Sequence, residues 1–220
     1  MAEELVTRHH EAQKLIARNA IAELNPLWQI LDFHDLNGTT ADWLRAVRPV
    51  VEKGYLVSQY VASQFLRDHR AAIYPHETPL NIEVPNPLGL FGTAVPADRE
   101  TQLKIMVSMK VTGPDWVMKN TGKNPDVPNL MRRGFSKSSG AATRLILNGG
   151  RGMVRLHADV DQLAVGVAGV ADEDSCDSCK FLQTPILKSA GARKMDAVAV
   201  GHDFCKCSAR LVYEQGIPPA

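Results

Sequence analysis

All four cysteines of this chain lie from residue 176 onward, where they form two closely spaced pairs. The first pair is Cys176 and Cys179, in a C-x-x-C arrangement, and the second is Cys205 and Cys207, with His202 three residues before Cys205. A borderline-soft ion such as Zn²⁺ takes four thiolate or imidazole ligands in a tetrahedron, and two such pairs joined by a loop supply that geometry. The spacing therefore predicts a zinc site in the C-terminal part of the chain.

The fourth ligand of this predicted site stays open at the level of sequence. Cys176 and Cys179 supply one half, and the other half is either Cys205 with Cys207 or His202 with Cys205. A set of three thiolates and a neutral imidazole and a set of four thiolates both occur in structural zinc sites. Sites this rich in thiolates are normally closed, so we expect a structural metal and not a catalytic one.

Two other roles for the cysteines are disulfides and unrelated buried thiols. A disulfide between Cys205 and Cys207 would be strained, because one residue alone separates them. The N-terminal segment 1–4 is acidic and does not resemble a signal peptide, so we expect synthesis in a reducing cytosol. Metal binding is therefore favoured over disulfides.

The composition is that of an ordinary globular protein. The chain has 220 residues, 45% of them hydrophobic, and a net charge of +1. This length suffices for one large domain or two small ones. No apolar run approaches the roughly 20 residues that span a bilayer, so no membrane partner is predicted.

The first third of the chain is predicted to form a helical hairpin. Apolar residues recur at helical spacing over 3–24, and a second helix, capped by Thr39 or Thr40, is expected to run to Tyr74. Asn25-Pro26 should end the first helix, and Pro49 should kink or break the second.

The segment 75–98 differs in composition from the first third of the chain, because it contains five prolines together with scattered apolar residues. Prolines lack the backbone donor that a helix or a central strand needs. We expect an extended arm that packs across another surface, or a loop that meanders against its own domain. In the first case the helices and the arm would make contacts between subunits, while the zinc domain would fold independently.

The remaining segment, 99–220, is predicted to mix helices and strands. Alternating apolar residues predict a strand over 103–111, and 128–148 reads as a helix closed by Asn148-Gly149-Gly150, with a second short segment over 153–163. A strand over 163–171 should lead to Cys176, a short helix or turn should cover 181–189, and two strands over 198–213 should flank the zinc knuckle.

The predicted fold class is therefore α+β, in three parts. Residues 1–74 form a helical region, 75–98 a Pro-rich extended arm, and 99–220 a mixed domain with the zinc knuckle.

The histidines and acidic residues outside the cysteine motif are weaker candidates for catalysis or metal binding. His9 and His10 are adjacent on a helix and point to different faces, so we expect a solvated pair and no shared ligand. His157 with Asp159 and Asp161 has the alternation of an exposed face, which we favour over a hydrolytic metal site. The acidic run that begins at Asp172 is expected to be a solvated turn.

The stretch between residues 110 and 155 is strongly basic, although the whole chain is nearly neutral. Its nine basic residues are opposed by only two acidic ones, Asp115 and Asp126. Such asymmetry suits contacts with phosphates of double-stranded DNA, or with an acidic protein surface. The nine residues are Lys110, Lys119, Lys123, Arg132, Arg133, Lys137, Arg144, Arg151 and Arg155.

The C-x-x-C pair followed by Gly201-His202-Asp203-Phe204-Cys205-Lys206-Cys207 and an apolar strand resembles the C-terminal end of the phage MuF-like minor head proteins. In that family a proline often follows the histidine. Asp203 stands there in this chain, as in members from actinobacterial phages. Further matches are the segments 8–28, Asp35-Leu36-Asn37-Gly38-Thr39 with 43–47, Val111-Thr112-Gly113-Pro114, and Arg144-Leu145-Ile146-Leu147-Asn148-Gly149-Gly150.

This resemblance implies a non-enzymatic virion component that takes part in head morphogenesis. It would be made in the host cytoplasm and placed inside the capsid near the portal vertex, in contact with the portal or the major capsid protein and with packaged DNA. The zinc ion would be structural. A zinc-dependent nuclease is the alternative from another class, and a free DNA-binding regulator is a third.

Overall fold

The structure is a computed structural model and describes residues 1–80, 97–123, 126–173, 175–199, 201–203 and 205–214. Helices dominate the described part, and a small antiparallel sheet lies near its C-terminal end. The helices are α1 Ala2–Leu27, α2 Leu36–Ile73, α3 Arg99–Thr112, α4 Pro114–Asn120, α5 Val127–Val160, α6 Asp177–Leu182 and α7 Ala192–Ala199. The strands are β1 Ala164–Val170, β2 Ile186–Leu187 and β3 Ser208–Tyr213.

The predicted helical hairpin is confirmed in α1 and α2, but its details differ. Helix α1 continues through Pro26 to Leu27, and α2 is a single helix through Pro49. The cap of α2 is Asp35, whose carboxylate accepts a hydrogen bond from Gly38 N at 3.0 Å, so Thr39 and Thr40 lie inside the helix. A side chain that accepts from the third residue beyond it satisfies one of the free N–H groups of the first turn.

The strand predicted over 103–111 is wrong, because this segment is part of helix α3. Asp98 caps the helix by accepting a hydrogen bond from Thr101 N at 2.9 Å. Ile105 and Met109, four residues apart, are buried, whereas Leu103 is 62% exposed. In a helix, some residues of an alternating apolar pattern lie on the buried face and the others face solvent. The alternation therefore does not distinguish a strand from a helix in this segment.

Helix α5 is the longest element after α2, and it runs through the predicted stop at Asn148-Gly149-Gly150. These glycines are contact points and not a helix end. A Cβ on Gly149 would overlap the backbone carbonyl of Tyr55 in α2, and Gly150 N donates to Ser58 Oγ at 2.8 Å. The absence of side chains lets α5 approach α2 closely. The segment predicted over 153–163 is therefore mostly the end of the same helix.

The sheet has the order β2-β1-β3, and both pairings are antiparallel. Strand β1 confirms the strand predicted over 163–171. Of the two strands predicted over 198–213, only β3 is a strand, and the described start of that segment belongs to α7. The predicted short helix or turn over 181–189 is instead the end of α6 followed by β2.

Helix α5 contributes to both large hydrophobic cores. One core joins α1, α2, α3 and α4 to the first half of α5 through residues such as Trp28, Trp43 and Ile146. The other joins α1 and α2 to the second half of α5 and the sheet through residues such as Phe65, Val154 and Leu211. Helices of the segments 1–74 and 99–220 thus share their cores. A fragment beginning at residue 99 would expose the apolar face of α5, so this packing does not support independent folding of the zinc domain.

Most of the Pro-rich arm, residues 81–96, lies outside the described residues, and the arm stays a prediction. Within the described ranges, no helix combines the length and the apolarity that crossing a membrane requires. The α+β class is confirmed by this architecture.

Candidate metal centre

The pairing of β1 with β3 brings the two halves of the cysteine motif together. Val170 at the end of β1 pairs with Ser208 at the start of β3. The chain that leaves β1 leads to Cys176 and Cys179, and the chain that enters β3 carries His202, Cys205 and Cys207. Because the strands are antiparallel, these two segments lie at the same end of the sheet.

Helix α6 and the loop 201–207 position the individual donors. Cys176 is the N-cap of α6 and is exposed, and Cys179 lies in the first turn of that helix and is buried. Cys205 and Cys207 are buried, and all four cysteines have free thiols. His202 is exposed and faces the α6 thiols, so the site is closed towards the core and borders solvent at Cys176 and His202.

The five predicted donors lie close together and can bind a metal. Within the triad Cys176, Cys179 and His202, all donor atoms lie within 4.8 Å of one another, and so do those of the triad Cys179, Cys205 and Cys207. Cys179 belongs to both triads. It therefore lies between the two halves of the motif.

The distances around Cys179 come closer to those of a tetrahedral zinc site than the distance between Cys205 and Cys207, although no four of the described donors all lie within 4.8 Å of one another. With bonds of 2.0 to 2.3 Å to zinc, neighbouring donors lie about 3.5–3.8 Å apart. Cys179 Sγ is 3.7 Å from His202 Nε2 and 3.4 Å from Cys205 Sγ, and Cys176 Sγ is 3.0 Å from His202 Nε2. Cys205 Sγ and Cys207 Sγ are only 2.8 Å apart. That spacing is too short for two thiolates bound to one zinc ion.

The imidazole of His202 is oriented for binding through Nε2. Its Nδ1 lies 2.8 Å from the carbonyl oxygen of Asp203, which can only accept a hydrogen bond. The Nδ1–H therefore donates to Asp203 O, and the lone pair of Nε2 points to the thiols. Histidines that bind metals in proteins are commonly fixed in this way.

The electrostatics of the cluster favour a thiolate at Cys205. The hydrogen bond from the Cys207 thiol, together with the charge of Arg151, lowers the pKa of Cys205 to about 5. The same contact raises the pKa of Cys207. The backbone N–H of Cys179, with His202, lowers the pKa of Cys176, and burial raises the pKa of Cys179 to about 12.

Arg151 of α5 lies against this cluster, although the sequence analysis assigned it to a DNA-binding stretch. That assignment is wrong for Arg151, because the residue is 1% exposed. Its Nη2 donates to Cys207 O at 2.6 Å and lies 3.1 Å from Cys205 Sγ, and its Nη1 donates to Asn148 Oδ1 at 2.7 Å. No sequence signal indicates this contact, since more than fifty residues separate Arg151 from Cys205 and Cys207.

The expectation of a solvated His9 and His10 is also wrong, since both side chains are buried. His9 stacks on Phe65 with ring centroids 4.2 Å apart. His10 bridges two segments beside the metal centre, with Nδ1 3.1 Å from Ser208 Oγ and Nε2 3.0 Å from Asp172 Oδ1. Asp172 is therefore engaged and is not simply part of a solvated turn.

The residues of the predicted exposed face at 157–161 have different roles. His157 is buried, and its Nδ1 lies 2.8 Å from Met153 O. Asp161 is buried and accepts hydrogen bonds from Tyr213 OH at 3.0 Å and from Arg70 Nε at 3.2 Å. Of His157, Asp159 and Asp161, only Asp159 is exposed. These contacts hold the end of α5 to α2 and β3.

Several members of the basic stretch are paired with acidic residues, either nearby or distant in sequence. Arg144 contacts Asp203 at 2.8 Å, Arg155 contacts Asp159 and Asp196, and Lys110 contacts Asp115 at 2.6 Å. Five exposed cations form no ion pair within the described part of the chain, and we call them the cation face. They are Lys119, Lys123, Arg132, Arg133 and Lys137.

No protein-family model, no curated protein and no solved structure matches this chain. The resemblance to phage minor head proteins therefore depends on the residues quoted for it.

Proposed function

We propose that the cysteine cluster holds a structural zinc ion through Cys176, Cys179, Cys205 and His202. The distances around Cys179 and the orientation of His202 Nε2 support this ligand set. In this proposal Cys207 is not a ligand, and its thiol donates a hydrogen bond to the Cys205 thiolate. A bound zinc ion would supply four coordination bonds that fasten α6 and the loop 201–207 to the end of the β1–β3 pair.

Purified protein is expected to contain about one zinc ion per chain, and two substitutions identify the fourth ligand. Cys207→Ser should retain the metal, because serine can still donate to Cys205, whereas His202→Ala should weaken binding strongly. Elemental analysis and competition with a chromophoric chelator measure both effects. Metal-free wild type with two disulfides would contradict the zinc site, and retention by His202→Ala with loss by Cys207→Ser would assign a site of four thiolates.

We further propose that the protein is a minor head protein of a tailed phage, located inside the capsid near the portal vertex. The observation that carries this proposal is the order C-x-x-C, then H-x-x-C-x-C, whose donors meet at one end of the sheet. The portal or the major capsid protein would be its protein partner. In this role the zinc ion stabilises the fold and takes no part in a reaction.

Particles of a phage that encodes this chain are expected to contain it in few copies. Quantitative mass spectrometry of density-purified heads should detect it at a small fraction of the major capsid protein. Non-structural proteins of the same phage serve as the control for contamination. Absence of the chain from purified particles would overturn the proposal.

The cation face supports a contact with the phosphates of packaged double-stranded DNA. Arg133 and Lys137, one turn apart on α5, both lie over the ring of Trp116 in α4, at 5.5 and 5.4 Å from its centroid. Stacking on one indole holds both cations at the same place on the surface. Of the nine predicted basic residues, the five of this face remain our proposed phosphate contacts.

Replacing Arg133 and Lys137 together by alanine is expected to weaken DNA binding and to make it less dependent on salt. Each lost phosphate contact should reduce the slope of log K against log salt by about 0.9, so the pair removes about 1.8. Binding to a duplex of random sequence, measured by fluorescence anisotropy at several salt concentrations, gives this slope. The control is the double variant Lys53→Ala with Lys194→Ala, which removes two exposed cations outside the cation face. This variant should leave the salt slope unchanged.

A zinc-dependent nuclease is the competing proposal, and the same protein tests it. Catalytic zinc keeps a coordination position for water, whereas three thiolates and an imidazole complete the tetrahedron. Cleavage of DNA by metal-loaded protein, lost in His202→Ala while the fold survives, would favour the nuclease.

A further inference from the structure

We infer that Arg151 couples metal loading at the cysteine cluster to the stability of helix α5. This inference rests on the proposed zinc site and concerns a residue outside the ligand set. Arg151 is among the most buried side chains of the molecule, at 1% exposure, and no ion pair to a carboxylate is present for it within the described ranges. A buried guanidinium without an opposite charge is strongly destabilising.

Among the described residues, the groups near Arg151 that can supply this charge are the thiols of the cluster. Its other acceptors, Asn148 Oδ1 and Cys207 O, are neutral. Nη2 lies 3.1 Å from Cys205 Sγ and 3.4 Å from Cys207 Sγ. Three thiolates and Zn²⁺ carry one net negative charge, which the guanidinium cancels. In the proposed site, zinc binds the same Cys205 sulfur that Arg151 contacts, so Arg151 acts on the metal through this ligand.

The position of Arg151 in α5 connects this charge balance to parts of the fold outside the cysteine cluster. It directly follows Gly150, whose N–H bonds to Ser58 of α2, and it precedes Met153 and Val154 of the second core. The side chain reaches the cluster past Gly201, where a Cβ would overlap the guanidinium. Gly201 N donates to the same Asn148 Oδ1 that accepts from Arg151, at 3.2 Å. Arg151 thus connects the loop 201–207 to the middle of α5.

Loss of the metal should therefore destabilise the wild type more than a variant without the buried charge. Arg151→Met keeps the length and the apolar stem of the side chain but removes its charge and its donors. With zinc bound, we expect Arg151→Met to be less stable than the wild type and to bind zinc roughly 10–100-fold more weakly, as is usual when an outer hydrogen-bonding partner is lost. Because the wild type binds zinc more tightly, the metal should stabilise it more than it stabilises the variant.

The experiment compares the full-length wild type and Arg151→Met, each with zinc and after chelation, under reducing conditions. Thermal unfolding gives the four stabilities, and competition with a chromophoric chelator gives the two zinc affinities. The expected result is a larger drop in Tm on chelation for the wild type than for the variant. Equal drops together with equal zinc affinities would overturn the inference.

A second variant keeps the inference testable if Arg151→Met does not fold. Gly201→Ala displaces the guanidinium without changing a metal donor, and should lower zinc affinity in the same direction. Gly152→Ala, next to Arg151 in α5, is the matched control, because its Cβ would meet nothing within 4 Å. Unchanged zinc affinity in Gly201→Ala would also overturn the inference. A wild type that binds no zinc would instead overturn the proposed metal site, and the inference with it.

Discussion

Replacing Gly149 by alanine is expected to lower the free energy of unfolding by about 3 kcal/mol, although alanine is the better helix former. The new methyl group would overlap the carbonyl oxygen of Tyr55 and lie 3.1 Å from its Cδ2 atom. A backbone carbonyl inside α2 cannot rotate away, so α5 and α2 must separate where both cores meet. At this chain length such a loss corresponds to a decrease in Tm of about 10 °C.

The matched substitution Gly152→Ala should have the opposite sign. It lies one turn further along α5 with open space around its Cα, so the gain in helix propensity of about 0.5–1 kcal/mol is not offset by a clash. Chemical denaturation of both variants with zinc bound measures the difference. Similar stabilities for the two variants would contradict the close approach of α5 to α2 at Gly149.

The metal donors could be predicted from sequence because each half of the motif is local. Short spacings within each pair limit the positions of two donors whatever the rest of the chain does. That the halves meet depends on the pairing of β1 with β3, and the apolar run 163–171 indicated the first of these strands. The fourth ligand could not be predicted, since His202 and Cys207 both lie within reach of Cys205.

Helix α3 shows why periodicity failed elsewhere. Leu103, Val107 and Val111 are spaced by four residues, as are Ile105 and Met109, so an alternating pattern also contains two helical stripes. The structure buries the second stripe and leaves the first exposed. The cap at Asp98 is the local signal that favours the helix.

The buried polar contacts were beyond sequence reasoning for a different reason. Arg151 looked like one cation in a basic stretch, and His9 and His10 looked like a solvated pair. Each is buried by elements far away in the chain, and only the assembled fold brings those partners into contact. The sequence around a charged or titratable residue does not indicate which surface will cover it in the fold.

The protein is expected to lose stability steeply as the pH falls from 6.5 towards 4, because two histidines are buried in neutral form. Burial lowers the pKa of His9 to about 3 and that of His69 to about 4. Both rings stack against Phe65, and the Nδ1 atoms of both histidines have no hydrogen-bond partner among the described residues. Nothing in this stack compensates a positive charge.

The sign follows from proton binding in the two states. Between pH 6.5 and these lowered pKa values, the unfolded chain binds protons at both histidines and the folded chain does not, so stability is fully present above pH 6.5 and is lost as the pH falls. At pH 5, each histidine should lower the free energy of unfolding by about 2 kcal/mol relative to its value above pH 6.5. Urea unfolding at pH 7.5, 6 and 5 measures the loss.

Protonation of the metal ligands also destabilises the protein in acid. The contribution of the two histidines is therefore measured by comparing variants with the wild type. His9→Leu with His69→Leu removes the two buried titrations but leaves the metal centre intact, and should reduce the loss between pH 7.5 and 5 by about 4 kcal/mol. His76→Gln changes an exposed histidine and should behave as the wild type. If the double variant loses as much stability in acid as the wild type, the two histidines are not held neutral by burial. The acid sensitivity then arises at other groups, such as the metal centre or His157, whose pKa burial also lowers.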